Sequence, residues 1–330
     1  MRRIKWGIIG TGNIARASAE GLAGVPEAEL YAVASRTPDK AEDFAKRFGF
    51  GRAYGSYDEL FSDSSVDVLY IATPMASHYD ICISALENGR NVFCEKSVTL
   101  NAAQLRDILA LAAEKKLFFC EAMWMKCRPA YLKMKDWISS GRIGDIRCIK
   151  ADFSNFVPYD ENSRLFRADC GGGALLDVTV YPLTLIHDLL GDPDEIQSAA
   201  HIGHDGVDLS NSLILRYKNG TFASVDSGME MPLRNNAVIS GTDGVIVFGD
   251  CFFCSDNVSL YDRELRLIER YDHPARVNGY EYEIEEVHRC LSSGMTDSPL
   301  IPHSATLRVM EMMDGLRREW GMRFPQEMTD

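Results

Sequence analysis

The strongest constraint on this chain lies in its first forty residues. An apolar run from Trp6 to Ile9 breaks into Gly10, Thr11, Gly12, Asn13, Ile14 and Ala15, and the next apolar run ends at Ser35 and Arg36. That order reads as strand, tight glycine turn, helix over Asn13 to Ala23, and second strand. Gly10 can take the backbone angles of a sharp turn, and Gly12 has no side chain to hold a pyrophosphate off the main chain. Ala15 lets the helix lie close on the strand. The N–H groups and positive end of the helix then face the phosphates, so the segment is read as a dinucleotide-binding turn.

The end of the second strand discriminates between cofactors. An acidic residue there would bind the adenine ribose hydroxyls and repel a ribose phosphate. Ser35 can hydrogen-bond that phosphate, and Arg36 can neutralise it and stack on adenine, so NADP is expected in preference to NAD. A plainer reading stands beside this one, in which Arg36 is a solvated loop residue next to Pro38 and Asp39.

Downstream, apolar runs at Val68 to Ala72, Asn91 to Cys94 and Leu117 to Cys120 alternate with helical patterns at Ala76 to Glu87 and Ala102 to Lys115. This predicts an α/β domain over residues 1–122, with a doubly wound parallel sheet. A helix around Tyr131, Met134, Trp137 and Ile138 follows, then a strand from Ile146 to Phe153 and successive strand-like runs from Ala199 to Leu267. Strands without crossovers form meanders, so residues 123–330 are expected to be an α+β domain on a mainly antiparallel open sheet. Helices at Glu281 to Ser292 and Ser304 to Trp320 finish the chain.

Composition narrows the class. With 35 Lys and Arg against 48 Asp and Glu, the net charge of -13 argues against a nucleic-acid or anionic-membrane partner. No segment is expected to reach the length of a membrane span, and the apolar stretch after Arg2, Arg3 and Lys5 is too short for a signal peptide. Nine scattered cysteines, an odd number, fit a reducing cytoplasm. Cys251 and Cys254 form a C-x-x-C without the strand-to-helix context of a redox motif or a second ligand pair for zinc. They are read as reduced hydrophobes near a strand or turn. His201 and His204 are read as a loop feature, and no metal is expected.

Ligands of open α/β sheets gather beyond the carboxyl ends of the strands. Three such ends stand out: Thr73 and Pro74 with His78 slightly downstream, Glu95 with Lys96, and Glu121 with Trp124 beyond. A lysine in a partly desolvated cleft beside an oxidised nicotinamide holds its proton less tightly, which suits acid–base work. The alternative for Lys96 is a surface lysine paired with Glu95. Farther on, Gly171, Gly172 and Gly173 open a helical pattern from Ala174 to Leu190, in which Asp177 and Tyr181 stand four apart on one face. They read as a site, or as a core tyrosine whose hydroxyl Asp177 satisfies. Pro182 is expected to kink this helix.

Together these strings resemble the Gfo/Idh/MocA oxidoreductases: the G-T-G-N-I-A turn, Val92-Phe93-Cys94-Glu95-Lys96, Ala72-Thr73-Pro74 with His78, and Gly172-Gly173-Ala174-Leu175-Leu176-Asp177 with Tyr181. Glu121-Ala122-Met123-Trp124 and Asn278-Gly279-Tyr280-Glu281 are most similar to the branch containing dihydrodiol and NADP-linked D-xylose dehydrogenases. The resemblance implies a Rossmann domain, a second domain whose open sheet makes a homodimer, and hydride transfer at the domain junction on a sugar, polyol or cyclic diol. It implies Lys96, Asp177 and Tyr181 as catalytic residues. Expected cofactor contacts are Gly10, Thr11, Gly12, Asn13, Ile14, Ser35, Arg36, Thr73, Pro74, His78, Glu95 and Lys96. Trp124, Tyr181 and Phe153 or Phe156 would line the substrate pocket. Two positions depart from the family pattern: Ser97 follows the lysine where proline is usual, and Thr179 stands where glycine is common. The same fold hosts NAD-dependent glycoside hydrolases and could serve a dinucleotide or sugar sensor, and both stand as alternatives.

Overall fold

The computed structural model describes residues 2–327 and divides into two compact units. The first runs to Trp124 and takes in Ala275–Ser304; the second comprises Met125–Pro274 and the chain from Ala305 onward.

In the first unit the strands are β1 (Ile4–Ile9), β2 (Ala28–Ala34), β3 (Arg52–Tyr54), β4 (Val68–Ile71), β5 (Asn91–Glu95) and β6 (Phe119–Ala122). They form one parallel sheet in the order β3-β2-β1-β4-β5-β6. Every residue of β4 is buried, as expected for a strand covered on both faces. Helices α1 (Asn13–Ala23), α2 (Pro38–Phe48), α3 (Tyr57–Ser62), α4 (His78–Glu87) and α5 (Ala102–Lys115) connect them. The bounds of α1 and α5 are those the sequence predicts. Asn101 fixes the start of α5, its side chain accepting from the Gln104 N–H at 2.9 Å. Strand order reverses between β1 and β4, which makes the carboxyl ends of these two strands the switch point.

The expected division at residue 122 gives way to a discontinuous one. The helix Glu281–Ser292 belongs to the first unit, where Trp6 Nε1–H donates to His288 Nε2 at 2.9 Å. Burial holds the His288 ring down to about 4, so it stays neutral and can accept. Asn278 Nδ2 donates to the Ala17 carbonyl at 2.8 Å, and a Cβ on Gly21 would lie 2.8 Å from the Tyr280 Cβ. The helix therefore seats directly on α1.

The second unit holds β7 (Ile146–Ser154), β8 (Glu195–Ile202), β9 (Asp208–Arg216), β10 (Phe222–Gly228), β11 (Ala237–Gly241), β12 (Gly244–Phe248), β13 (Asn257–Asp262) and β14 (Leu267–Asp272). Their order is β14-β13-β12-β11-β7-β10-β9-β8, antiparallel except for the parallel pair β7 and β10. Helices α6 (Pro129–Ser139) and α7 (Val180–Leu190) pack on this sheet. By length and apolarity alone the helical stretch Ala168–Leu190 could cross a membrane, contrary to expectation, but 72% of its apolar window is buried inside the protein. Its apolarity is that of a core element.

The two turn glycines differ in their surroundings. Gly10 sits at φ +105° and a Cβ there would lie 2.6 Å from the Ala72 carbonyl oxygen, whereas nothing lies within 4 Å of a Cβ on Gly12. Gly10→Ala should lower unfolding free energy by about 1–3 kcal/mol. Gly12→Ala should stay within about 1 kcal/mol of wild type yet weaken dinucleotide binding. Urea titrations with and without NADPH check both; equal destabilisation by the two substitutions would remove this distinction.

Candidate functional site

Helix α1 begins at Gly12 with no side-chain cap and no acidic residue in its first turn. Gly12, Asn13 and Ile14 are exposed there, and Thr11 is half-buried. The N–H groups of this turn are thus left facing outward with their positive potential undiminished. Beside it, Thr11, Gly12, Arg16, Lys40, Asp43 and Arg47 line a groove of about 560 Å³. Three cations against one carboxylate make this an anion-attracting surface in an acidic protein. Sequence reasoning did not single out Arg16, Lys40 and Arg47. The signal was present in α2, where Lys40, Asp43 and Arg47 recur at helical spacing on one face.

Ser35 is buried and its Oγ accepts from the Thr37 N–H at 3.2 Å. Arg36 is exposed and lines a separate groove of about 420 Å³ with Gly55, Ser56, Tyr57 and Asp80. Both residues stand where β2 ends, one oriented by the backbone and the other facing solvent.

At the next strand ends, Thr73 is half-buried and Pro74 exposed. His78 departs from the expected ligand role. It is 1% exposed, with Nε2 2.8 Å from the Thr73 carbonyl oxygen and Nδ1 3.2 Å from those of Ser97 and Val98. Burial lowers the proton affinity of its ring. His78 therefore fills the space between two strand-end loops, and its single N–H as a neutral ring donates to a backbone carbonyl of one of them. One of these loops carries Lys96, which is half-buried and joined to Ser97 by a cis peptide. Glu95 is buried, and its carboxylate accepts from the Tyr70 hydroxyl. Trp124 stacks on Tyr280, with ring centroids 4.7 Å apart and planes at 19°.

In the second unit, Asp177 and Tyr181 do not share a regular α-helical face. Leu175–Thr179 is a π-helical turn that runs into α7. Pro182 gives the reason: it lacks the N–H an α-helix would use and crowds the preceding turn, and a widened turn absorbs both demands. Thr179, at the position where glycine is common, donates to the Ala174 carbonyl five residues back at 3.2 Å and accepts from Asn211 Nδ2 at 2.9 Å. Asp208 completes the network, accepting from the Leu175 N–H at 2.9 Å and from Asn211 Nδ2 at 2.8 Å. Gly173, at φ +110°, lets the chain pass this carboxylate; a Cβ there would lie 2.5 Å from Asp208 Oδ1.

This network presents Asp177 half-buried with Arg164 Nη2 3.5 Å away, and Tyr181 buried at 7% exposure. The Tyr181 ring lies 5.4 Å from Phe153 and 5.1 Å from Phe253, and those two phenylalanines stack at 4.0 Å. Phe253 was not expected here. Phe156, offered as an alternative to Phe153, is 62% exposed and takes no part in the cluster. His201 pairs with Glu230 at 2.8 Å, and among the described residues no group of three or more His, Cys, Asp or Glu could hold a metal.

Residues 4–122 match the oxidoreductase family with an NAD-binding Rossmann fold, and residues 131–247 match the GFO/IDH/MocA C-terminal domain. The chain belongs to the Gfo/Idh/MocA oxidoreductase family. It is 31% identical to a trans-1,2-dihydrobenzene-1,2-diol dehydrogenase of Xenopus tropicalis over 329 residues, covering 97% of this chain and 99% of that one. The same named enzyme of Homo sapiens is 31% identical, with 98% and 99% covered. Among solved structures, a 3-ketoreductase from Actinomadura kijaniata in complex with NADP and TDP-benzene superposes with a TM-score of 0.85 at 28% identity, covering 96% of this chain and 98% of that one. Levoglucosan dehydrogenase with NADH and levoglucosan shares the fold at TM-score 0.87 and 21% identity, with 97% and 98% covered. This Gfo/Idh/MocA chain is accordingly a nicotinamide-dependent oxidoreductase of the CH–OH class.

Asp208 gives the family's second domain a pH dependence that can be measured. Burial pushes its carboxyl up to about 6 against the hydrogen bonds from Asn211, the Leu175 N–H and its own backbone N–H. A folded-state pKa above the unfolded value means that the native state binds the extra proton. This stabilisation is complete below about pH 4 and is lost as pH rises through about 6. Asp208→Asn removes the titration. The stability of wild type minus that of the variant should therefore fall by about 2 kcal/mol between pH 4.5 and 7.5. Urea unfolding at several pH values in that window reads the difference directly, and a flat difference would show that Asp208 titrates elsewhere.

Proposed function

We propose that this protein is an NADP-dependent dehydrogenase or reductase that acts on a secondary hydroxyl or hemiacetal of a sugar, polyol or cyclic diol. The observation that carries this reading is Tyr181 in its aromatic cluster, on the same short segment as Asp177, in a chain similar over nearly its whole length to dihydrodiol dehydrogenases. The similar 3-ketoreductase has also been solved as single variants of one lysine and one tyrosine, the two residue types this reading puts in the reaction.

The residues present suit the cofactor: a helix end without a cap, open space at Gly12, and three cations beside the turn. Ser35 and Arg36 would meet the ribose phosphate. When bound, the nicotinamide supplies or accepts the hydride. The chain's own task is the proton. Tyr181 or Lys96 exchanges it with the substrate hydroxyl, and Asp177, steadied by Arg164, orients that hydroxyl. Removing the proton as the hydride leaves avoids building an alkoxide or an oxocarbenium charge in a desolvated site. Trp124, half-buried with Tyr280 stacked against it, offers a flat apolar surface for a ring, while Phe153 backs Tyr181 from within its aromatic cluster. Exposed Ile214 and Phe222 on the second unit's sheet support the expected homodimer through that face, and nine free cysteines support a reducing cytoplasm as its compartment.

Arg36→Ala should raise KM for NADP by about tenfold while moving KM for NAD little. Equal changes for the two cofactors, measured by nicotinamide absorbance, would remove the ribose-phosphate assignment. Tyr181→Phe should lower kcat by about 100-fold or more with NADPH affinity unchanged, since a general acid–base contribution is of that order. Assays against aldoses, inositols and cyclic diols, with dicarbonyls in reverse, provide the readout. Near-normal turnover would return Tyr181 to a packing role.

A further inference from the structure

The C-x-x-C at Cys251 to Cys254 is placed more pointedly than its sequence context indicates. Cys251 follows β12 in a left-handed conformation at φ +66°, and Phe252–Cys254 form a single 3-10 turn. The Cys254 N–H donates to the Cys251 carbonyl at 2.9 Å. A turn so closed holds its end Cα atoms within about 7 Å, against the roughly 4.4–6.8 Å a disulfide spans. The two inner residues point to different places. Phe252 is buried, its N–H donating to the Asn235 carbonyl at 2.7 Å. Phe253 lies on the other side, stacked on Phe153 at 4.0 Å and 12° and set 5.1 Å from the Tyr181 ring.

We propose that Cys251 and Cys254 are a reversible thiol–disulfide site, with a low-molecular-weight disulfide as co-reactant, whose state sets the position of Phe253 against Tyr181. The effect on turnover rests on the proposed role of Tyr181; the site itself does not.

The thiols are suited to different parts. A hydrogen bond with Cys254, and then the Arg128 guanidinium, hold the Cys251 thiol below its usual range. The same bond, with burial, pushes Cys254 up. Arg128 is fixed beside the turn by a bond from Nε to the Ser255 carbonyl at 3.3 Å and by its pairing with Asp256. Cys251 is therefore the attacking sulfur and Cys254 the resolving one. Both are partly exposed, whereas Cys82, Cys94, Cys120, Cys127 and Cys290 are buried. Burial raises the thiols of the other two partly exposed cysteines, Cys148 and Cys170. A metal is a poor occupant, because the pair joins no group of three or more His, Cys, Asp or Glu among the described residues that could hold one.

The exchange balances without further reagents. The Cys251 thiolate attacks one sulfur of the small disulfide, whose S–S bond breaks, and the departing thiolate takes up a proton. Cys254 then loses its proton and attacks the Cys251 sulfur, releasing the second small thiol. The protein loses two electrons and two protons as one disulfide becomes two thiols. Bringing the two sulfurs to bonding distance tightens the turn that carries Phe253, whose ring packs on Phe153 at 4.0 Å, so the stack registers the change.

The test uses the full chain incubated with oxidised glutathione, alkylated, and mapped by peptide mass. The Cys251–Cys254 disulfide should form before any other cysteine reacts, with a change in near-ultraviolet circular dichroism from the aromatic cluster. Turnover should fall by about tenfold, the scale of a modest misplacement at a reacting group. Dithiothreitol should restore both signals. Cys251→Ser and Cys254→Ser should keep the untreated turnover and lose the response. Failure of the pair to oxidise, persistence of a mixed glutathione adduct, or a disulfide that leaves the dichroism unchanged would each overturn the proposal. Should the untreated protein turn over no substrate, the proposed function fails alone, and the mapping and dichroism still decide the thiol site.

Discussion

A helix leaves its first N–H groups without partners inside itself, and this protein meets that demand in two opposite ways. At Leu175 the demand is met internally, by the buried carboxylate of Asp208. At α1 it is left open, with Gly12 as an uncapped start and no acid in the first turn. The first solution freezes a segment; the second leaves a positive concavity for an anion. The same backbone physics thus yields a tied-down segment carrying Asp177 and Tyr181 in one unit and an uncapped helix start in the other.

Rigidity in the second unit comes at a cost the network absorbs. A buried carboxylate is expensive, and Asp208 offsets that cost with two donors, Leu175 N–H and Asn211 Nδ2. Asn211 is held in turn by Thr179. A glycine at residue 179 would supply no hydroxyl to this chain of bonds, so the departure at Thr179 adds a tie one turn before Pro182 removes a backbone donor. The π turn is therefore over-determined: one side chain forbids the regular helix and another stabilises its replacement.

Local signals carried most of the fold. The bounds of α1, α5 and Glu281–Ser292 were legible because caps, glycines and apolar spacing act within a few residues. The return of Ala275–Ser304 to the first unit was not, since it depends on Trp6 meeting His288 across 282 positions of sequence. The candidate site divides in the same manner. Lys96, Asp177 and Tyr181 stand out by motif, but Phe253 reaches Tyr181 only through strand pairing that no spacing reveals. His78 was visible as a polar residue near a strand end; its direction was not, and direction made it a filler between loops rather than a ligand.

The interior behind Lys96 poses a last question of charge. Glu95 and Glu283 are both buried in the first unit, and each raises the cost of ionising the other. The Tyr70 hydroxyl donates to Glu95, whereas neither carboxylate oxygen of Glu283 has a hydrogen-bond partner. An anion is favoured where a donor already points at it, and Glu95 has such a donor in the Tyr70 hydroxyl whereas Glu283 has none. Burial, and then the charge of Glu95, push the Glu283 carboxyl well above the ordinary carboxylate range. At neutral pH Glu283 therefore keeps its proton and contributes its volume, not a charge, to the core of the first unit.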